Sequence, residues 1–182
     1  MARETARFNS EILDVLAPGT GEHILELGHG HGRTLMSAAA RAPGARFSAI
    51  DVAPAATKAA ARRCRDLIAA RRLDLCTGDG ASLPWAAATF DAAFSVHTIY
   101  FWPDPAPQLQ ELRRVLRLGA RLVLGFRERS AEAIAQFPAP TYRFYSADEV
   151  GALLADADLS NIEIRTSSDA PGLRIGVARA GR

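Results

Sequence analysis

The segment that most constrains this chain is an apolar run over residues 23–27 that opens into three glycines at alternate positions, Gly28, Gly30 and Gly32. Glycine accepts positive φ angles and lets a ligand approach the backbone where a Cβ atom would collide. A loop of this kind between a strand and a helix presents backbone N–H groups and the positive end of the helix dipole to a negatively charged group. The segment therefore predicts a strand–loop–helix unit that binds an anionic ligand, with Glu26 near the end of the strand.

The spacing of the glycines separates two classes of ligand. A dinucleotide site needs the pattern G-x-G-x-x-G, in which the third glycine allows close packing of helix and strand. Counted from Gly28 the third position falls on Arg33, and counted from Gly30 it falls on Leu35. The spacing therefore disfavours an NAD-dependent oxidoreductase.

Hydrophobic periodicity predicts strands and helices in alternation along the chain. Strands are predicted over residues 23–27, 46–51, 73–76, 90–96, 121–126, 161–165 and 173–178. Helices are predicted over residues 4–16, from the glycine loop to about residue 41, over 54–70, over 105–116 with Gly119 ending it, and after a capping Ser146. The last two strands have no helical stretch between them, so an antiparallel pair is expected. The fold class is α/β: a doubly wound, Rossmann-like, seven-stranded and mostly parallel sheet with an antiparallel final strand and helices on both faces.

Length and composition place this fold in one domain. The chain has 182 residues, with an N-terminal helix segment over 1–20 and a short lid insertion expected over 127–145. The net charge of +2 is too small to argue for nucleic acid or an anionic membrane. Two cysteines, Cys64 and Cys76, are expected to be free thiols, and no run resembles a signal peptide or a membrane span. A cytoplasmic location is the resulting expectation.

Acidic residues stand where several predicted strands end. In an open α/β sheet, ligands bind outside the carboxyl ends of the strands. Candidate positions there are Glu26 with the glycine loop, Asp51, Asp79, and the segment 95–100. The Asp51 carboxylate could accept both hydroxyls of a ribose, which suits NAD and S-adenosylmethionine equally, or it could cap the following helix.

Four stretches, taken in order, resemble the motifs of class I S-adenosylmethionine-dependent methyltransferases, in the small-molecule group that contains the quinone-biosynthesis C-methyltransferases. Residues 26–32 are similar to E-L-G-x-G-x-G, and 78–84 to G-D-A-x-x-L-P. Residues 89–96 are similar to the family's S-F-D-x-V segment, and 109–124 to L-x-E-x-x-R-V-L-K-P-G-G-R-L. The resemblance covers about residues 22–125.

The resemblance implies S-adenosylmethionine as the methyl donor and S-adenosylhomocysteine as the product. Glu26 would bind the amino group of the methionine end, directly or through water, and the loop N–H groups would bind its carboxylate. Asp51 would bind the ribose and Asp79 the adenine, with Gly80 and Ala81 both candidates for a backbone donor to the ring. The expected cofactor-binding residues are Glu26, Gly28, His29, Gly30, Gly32, Asp51, Val52, Asp79, Gly80, Ala81 and Val96.

His97, just past the fourth strand, is the first candidate for a general base, and Tyr100 is the second. The alternatives are that His97 only hydrogen-bonds the cofactor or a loop carbonyl, and that Tyr100 walls an apolar pocket. His29 and His31 lie inside the glycine loop, where they pack over the cofactor or contact the acceptor. With His97 they lack an evident fourth ligand, so no metal is expected.

The acceptor is expected to be an apolar or aromatic small molecule. Methyltransferases of nucleic-acid bases carry [D/N/S]-P-P-[Y/F] after the fourth strand, and residues 95–100 lack the two prolines, which disfavours a nucleic-acid acceptor. The short lid carries Phe137, Pro138, Pro140, Tyr142, Phe144 and Tyr145. A lid this small predicts an open cavity, or one completed by the second subunit of a homodimer. A cofactor-binding sensor or partner subunit without transfer activity is the alternative from another class.

Overall fold

The computed structural model of the chain describes residues 2–137, 141–168 and 170–181, and for residues 2–4 the helical backbone alone. The strands are β1 (His23–Leu27), β2 (Arg46–Asp51), β3 (Leu73–Thr77), β4 (Phe90–Val96), β5 (Leu116–Arg127), β6 (Leu159–Thr166) and β7 (Leu173–Ala180). The helices are α1 (Ala2–Leu16), α2 (Arg33–Arg41), α3 (Pro54–Arg63), α4 (Arg65–Ala69), α5 (Pro105–Val115), α6 (Ala131–Gln136) and α7 (Ala147–Asp156), and Ile99–Phe101 forms a short 3-10 helix.

The strands form one seven-stranded sheet in the order β3-β2-β1-β4-β5-β7-β6. β1 pairs in parallel with β2 on one side and with β4 on the other, so the strand order reverses at β1. β7 runs antiparallel to both β5 and β6. The predicted fold class, with its antiparallel final strand, is confirmed.

Helices cover both faces of the sheet because each presents one apolar stripe to it. α1, α2 and the turn after α3 pack on one face, where Phe8, Leu35 and Cys64 are fully buried. α5 and α7 pack on the other face, through residues that include Leu112 and Leu154. The core therefore consists of two apolar layers separated by the sheet.

Capping residues set the starts of two helices, α5 and α7. The Asp104 side chain accepts the Ala106 N–H at 3.0 Å and begins α5. Ser146 and Glu149 form a reciprocal capping box that begins α7, as predicted from their spacing.

Two predicted element bounds are wrong. The single helix expected over 54–70 is broken at Cys64, whose ψ angle of 17° lies outside the helical range, so that α4 is a separate short helix. Gly119 does not end a helix: α5 stops at Val115 and the chain enters β5 at once. Gly119 lies inside β5 with φ of 76°, where the β4–β5 register shifts between Phe90 and Ala92. Glycine is suited to such a bulge because it adopts positive φ without strain.

The Arg72 side chain has a structural role beside the end of α2. The Arg72 guanidinium donates to the carbonyl oxygens of Ala45 at 3.1 Å and Ala42 at 2.9 Å. These carbonyls follow α2, so the cation stabilises the end of that helix. Arg62 and Arg65, by contrast, are exposed.

Across residues 2–137, 141–168 and 170–181, no helix combines the length and the apolar character needed to cross a membrane.

Candidate active site

A cleft of about 640 Å³ lies at the carboxyl ends of the strands around β1, where the strand order reverses. This is the position at which open α/β sheets bind ligands. Its walls contain eight of the residues predicted from the sequence, namely Gly28, Gly30, Asp51, Val52, Asp79, Gly80, Val96 and His97. The other wall residues are Leu27, Ile50, Gly78, Thr98, Phe101, Trp102, Pro103 and Gln108.

The glycine loop is held against the sheet, and Gly28 is the residue that allows it. Its φ angle is 80°, and a Cβ atom added there would collide with the Thr98 side chain. Its N–H donates to the Ile50 carbonyl at 2.8 Å, which fastens the loop to the end of β2. Any larger residue at this position would be strained by the positive φ angle and would also collide with Thr98.

Asp51 connects the glycine loop to the turn after β2. Its Oδ2 accepts the Gly30 N–H at 2.8 Å, and its Oδ1 accepts the Ala53 N–H at 2.9 Å. Each carboxylate oxygen has a second lone pair, so both can still accept a ligand hydroxyl. Both predicted roles, ligand binding and organisation of the helix start, are thus compatible with one side chain.

Glu26 lies beneath the loop and is 2% exposed. Its Oε2 is buried and has no hydrogen-bond partner among the described residues. Burial, and secondarily the nearby Asp51 carboxylate, raise the pKa of Glu26 well above its ordinary value. A cationic ligand group reaching Oε2 would reverse this effect, because the carboxylate would then gain a charged partner.

Asp79 and Gly80 lie on the cleft wall beyond β3. The Asp79 Oδ1 accepts the Ala81 N–H at 3.0 Å, which closes a tight turn. Because the Ala81 N–H is engaged within the turn, Gly80 is the better placed of the two candidate backbone donors.

A bidentate ion pair between Glu111 and Arg114 holds the segment that follows Asp79. The two side chains lie on α5, with Arg114 Nε 2.6 Å from Glu111 Oε1. Glu111 accepts the Leu83 N–H at 2.8 Å, while Arg114 donates to the carbonyls of Leu83 at 3.0 Å and Trp85 at 2.8 Å. The Arg114 bonds lower the pKa of Glu111, and the same contacts fix the cleft wall to α5.

His97 has a left-handed backbone, with φ of 58°, which histidine adopts more often than most residues. Its Nδ1 lies 2.8 Å from the Tyr100 hydroxyl, and its ring lies 5.2 Å from that of Phe8 between centroids. The Tyr100 hydroxyl also accepts the Arg127 N–H. Burial raises the pKa of Tyr100 far above its usual value, so the phenol stays protonated and is suited to orienting the imidazole rather than to acting as a base.

A second, smaller cavity of about 230 Å³ lies beside the cleft. It is mostly aromatic, and its walls are Thr5, His97, Tyr100, Phe101, Arg127, Phe137, Tyr142, Phe144 and Leu173. His97 and Phe101 belong to the walls of both cavities. The two cavities therefore meet at these side chains.

Five predicted site residues, Glu26, His29, Gly32, Ala81 and Tyr100, are not on the wall of the larger cleft. His29 is 4% exposed, with Nδ1 2.9 Å from the Gly30 carbonyl and Nε2 buried without a partner. Gly32 begins α2 and packs against Ala60. The His31 side chain is exposed, and its carbonyl accepts from Arg63 at 2.9 Å.

Sequence reasoning missed Gln108 as a cleft residue and included Thr98 only as part of the candidate segment 95–100. A signal for Gln108 was present, because it precedes Leu112 by one helical turn and Val115 by two on the buried stripe of α5. A polar side chain on that stripe needs a partner or a ligand. Thr98 carries no comparable signal.

In the part of the chain that the structure describes, no group of three or more His, Cys, Asp or Glu side chains is arranged to hold a metal ion.

Comparison with known proteins identifies a family. The sequence profile of the family described as "Methyltransferase domain" matches residues 25–124, more than half of the chain. The ubiquinone/menaquinone biosynthesis C-methyltransferase of Paracoccus denitrificans is 34% identical over 120 residues, covering 64% of this chain and 47% of that protein. An uncharacterized methyltransferase of Bacillus subtilis is 27% identical over 159 residues, covering 87% of this chain and 86% of that protein.

Solved structures share the fold. The geranyl diphosphate C-methyltransferase of Streptomyces coelicolor, in complex with Mg²⁺, geranyl-S-thiolodiphosphate and S-adenosylhomocysteine, superposes with a TM-score of 0.83 at 15% identity. The match covers 96% of this chain and 76% of that one. The chain spans between 34% and 47% of the length of three of the curated relatives that it matches.

Proposed function

This chain belongs to the class I S-adenosylmethionine-dependent methyltransferases, and from that premise we propose that it transfers the methyl group of S-adenosylmethionine to an apolar or aromatic small molecule. The observation that carries the proposal is the junction of two cavities. The larger cleft, with its glycine loop and two wall carboxylates, has the chemistry of an adenosyl site. The smaller aromatic cavity meets it at His97 and Phe101.

The residues of the cleft, together with Glu26 beneath its glycine loop, fit S-adenosylmethionine group by group. The carboxylates of Asp51 and Asp79 are acceptors for the ribose hydroxyls and the adenine amine. The loop N–H groups are donors for the methionine carboxylate, and the partnerless Glu26 Oε2 is an acceptor for its ammonium. With this assignment, the loop N–H donors and the buried Glu26 Oε2 each gain a hydrogen-bond partner.

When bound, S-adenosylmethionine supplies a methyl group made electrophilic by its sulfonium sulfur. The contribution of the protein is mainly alignment, because a fixed reactive geometry replaces the entropy cost of an encounter. Asp51 and the glycine loop would fix the donor, and the aromatic cavity would hold the acceptor. Where the acceptor must lose a proton, the His97 imidazole would accept it, with Tyr100 holding Nδ1.

An apolar acceptor is supported by the cavity walls and by the names of relatives. Tyr100, Phe101, Phe137, Tyr142 and Phe144 supply five aromatic rings. One relative is named for quinone biosynthesis, and one structural neighbour holds a geranyl thiolodiphosphate. A flat ring or a short prenyl chain suits such a surface.

We assign the covering of this cavity to residues 127–137 and 141–145 and to the start of α1, which contributes Thr5. The predicted lid residues Pro138 and Pro140 lie outside the described residues. A homodimer that completes the cavity, a single domain over 1–182 and a cytoplasmic location also remain proposals. The last has the support of two free thiols, Cys64 and Cys76.

Calorimetry with S-adenosylmethionine, S-adenosylhomocysteine and NAD tests the cofactor. Binding of both sulfur ligands and no heat with NAD is expected. Binding of NAD with no heat from either sulfur ligand would overturn the proposal. Transfer is then tested with methyl-labelled S-adenosylmethionine and a panel of hydroquinones, phenols and prenyl compounds, and binding without label transfer to any of them would favour a sensor.

The role of His97 is tested by His97→Asn, because asparagine also tolerates the left-handed backbone. Turnover of a hydroxylated acceptor should fall at least about 100-fold, the usual contribution of a general base. The deficit should shrink with acceptors that ionise at lower pH, since these need no base. Full turnover in the variant would remove His97 from that role.

A further inference from the structure

Gln108 lies on the wall of the cleft but is not part of any motif in the sequence. It is in the first half of α5, on the same buried stripe as Leu112, and is 4% exposed. A glutamine at such a position is unusual, because a buried amide must satisfy both its donor and its acceptor.

The Gln108 carbonyl oxygen is not satisfied within the described chain. Four buried side-chain atoms there lack a hydrogen-bond partner, namely Asn9 Oδ1, Glu26 Oε2, His29 Nε2 and Gln108 Oε1. Of these four side chains, Gln108 is the one on the wall of the larger cleft. An unsatisfied buried acceptor costs about 1–3 kcal/mol, and a ligand N–H would remove that cost.

The neighbours of Gln108 indicate which part of a ligand it would contact. A Cβ atom placed on Gly80 would lie 3.4 Å from Gln108 Cγ, so the glutamine packs directly against Gly80. Gly80 follows Asp79, whose carboxylate is on the same wall. The last torsion of glutamine is broad, so Oε1 can reorient when a ligand offers a donor. Two acceptors, one amide oxygen and one carboxylate, thus lie at the same end of the cleft.

We propose that Gln108 is a purine-selecting residue, whose Oε1 accepts one N–H of the adenine 6-amino group while Asp79 accepts the other. A primary amine on a ring offers two N–H donors, which matches two adjacent acceptors. A 6-oxo purine places an acceptor there instead, so Asp79 loses its donor, and Gln108 can pair with the purine only by turning its amide to present Nε2. The inference rests on the proposed function, since it needs an adenosyl ligand in the cleft.

The test compares S-adenosylhomocysteine with S-inosylhomocysteine, which differ at the 6 position of the purine. Gln108→Met keeps the length of the side chain and removes its polar atoms. Binding of S-adenosylhomocysteine should weaken about 10-fold, equivalent to about 1.4 kcal/mol, while binding of S-inosylhomocysteine should weaken less. Gln110→Met is the matched control, because Gln110 is on the same helix and exposed, and it should change neither affinity.

The ligand-free variant supplies a second readout. Gln108→Met should melt no lower than the wild-type protein, because it replaces an unsatisfied buried amide by an apolar chain. Gln108→Leu serves the same purpose if the methionine variant does not fold.

Three outcomes overturn the proposal: unchanged affinity for S-adenosylhomocysteine, equal weakening of both nucleosides, and a lower melting temperature of both ligand-free variants. The first outcome would show that Gln108 does not contact the purine. The other two would show that Gln108 serves only to pack the fold. Wild-type protein that binds neither nucleoside would overturn the proposed function as well, which separates the two failures.

Discussion

Asp51 shows how one side chain can organise a site before any ligand arrives. Its two oxygens already hold the N–H groups of Gly30 and Ala53, so the carboxylate is fixed in place. A fixed acceptor loses little side-chain entropy when a ligand hydroxyl binds. Its contribution to affinity should therefore be close to the full value of a charge-assisted hydrogen bond.

Asp51→Ala should weaken the binding of S-adenosylhomocysteine by about 1.5–3 kcal/mol, the range for hydrogen bonds to charged groups. Calorimetry of the two proteins at one pH measures the difference. Asp66→Ala is a suitable control, because Asp66 is an exposed acid outside both cavities. Equal affinities of wild type and Asp51→Ala would exclude Asp51 from the site.

Glu26 is expected to couple cofactor binding to proton release. Its raised pKa means that the buried carboxyl keeps its proton in the ligand-free protein to a higher pH than an ordinary glutamate. Binding of an ammonium group beside it favours the ionised form, so the proton is released. Calorimetry in buffers of different ionisation enthalpy counts this proton, and Glu26→Gln should abolish the release. The same proton count in both proteins would contradict the expectation.

Glu26 also determines the direction in which the stability of the ligand-free protein changes with pH. A raised pKa costs no stability below pH 4.5, the ordinary value for glutamate, and lowers the stability of the ligand-free protein as pH rises from there through the raised pKa. Glu26→Gln should therefore gain stability relative to wild type across that window.

At the scale of elements, α5 acts as the support of the Asp79 end of the cleft. Its Glu111–Arg114 pair fixes the backbone of Leu83 and Trp85, and its first half carries Gln108. The pair is partly exposed, so its Coulomb attraction is a small contribution. The hydrogen bonds from both side chains to backbone groups contribute more to stability than this attraction does.

Arg114→Leu should lower the free energy of unfolding by about 1–3 kcal/mol, since it removes the donors that Arg114 supplies to two carbonyls and to Glu111. It should also weaken S-adenosylhomocysteine binding, because the wall beside Asp79 loosens. Thermal melts and calorimetry measure the two effects. Arg62→Leu, at an exposed position on α3, is the control. A variant with the wild-type melting temperature would show that the segment after Asp79 is held by other contacts.

The pair also predicts a pH dependence. The lowered pKa of Glu111 contributes stability that is present above pH 4.5 and is lost as pH falls through the lowered value. Arg114→Leu should therefore be less sensitive to acid over that interval than the wild-type protein.

Most elements were predictable because their signals are local. β1, β2 and β4 have the predicted bounds, since each is an apolar run between turn residues. The break at Cys64 was not predictable, because its cause lies in packing against Gly32, 32 residues earlier in the chain. The position of Gly119 was misjudged because glycine ends helices and forms bulges with the same local signature.

At the scale of the whole molecule, the walls of the larger cleft were more predictable than those of the smaller cavity. The glycine loop, Asp51 and Asp79 each follow a strand, and parallel strands bring their carboxyl ends together. The smaller cavity instead draws Thr5 from α1, Phe101 from the 3-10 helix and Phe144 from the lid. Nothing in the spacing of these residues shows that they meet.

A bound cofactor should stabilise the entire fold. The cleft draws on β1, β2, β4, α5 and the loops between them, so unfolding any of these elements releases the ligand. At a concentration 100 times its dissociation constant, S-adenosylhomocysteine should add about 2.7 kcal/mol to the free energy of unfolding. This corresponds to a rise in melting temperature of about 5–10 °C for a chain of this length. NAD at the same concentration serves as the control, and the absence of any shift with S-adenosylhomocysteine would contradict the expectation.

Because His97 and Phe101 belong to the walls of both cavities, they also bear on inhibitor design. A compound that joins an adenosyl group to an aromatic ring must pass its linker between the two cavities beside these side chains. Affinity should therefore peak at one linker length, and Phe101→Ala should broaden that optimum by widening the passage. A linker series measured against both proteins would report the width of the opening through which the methyl group has to travel.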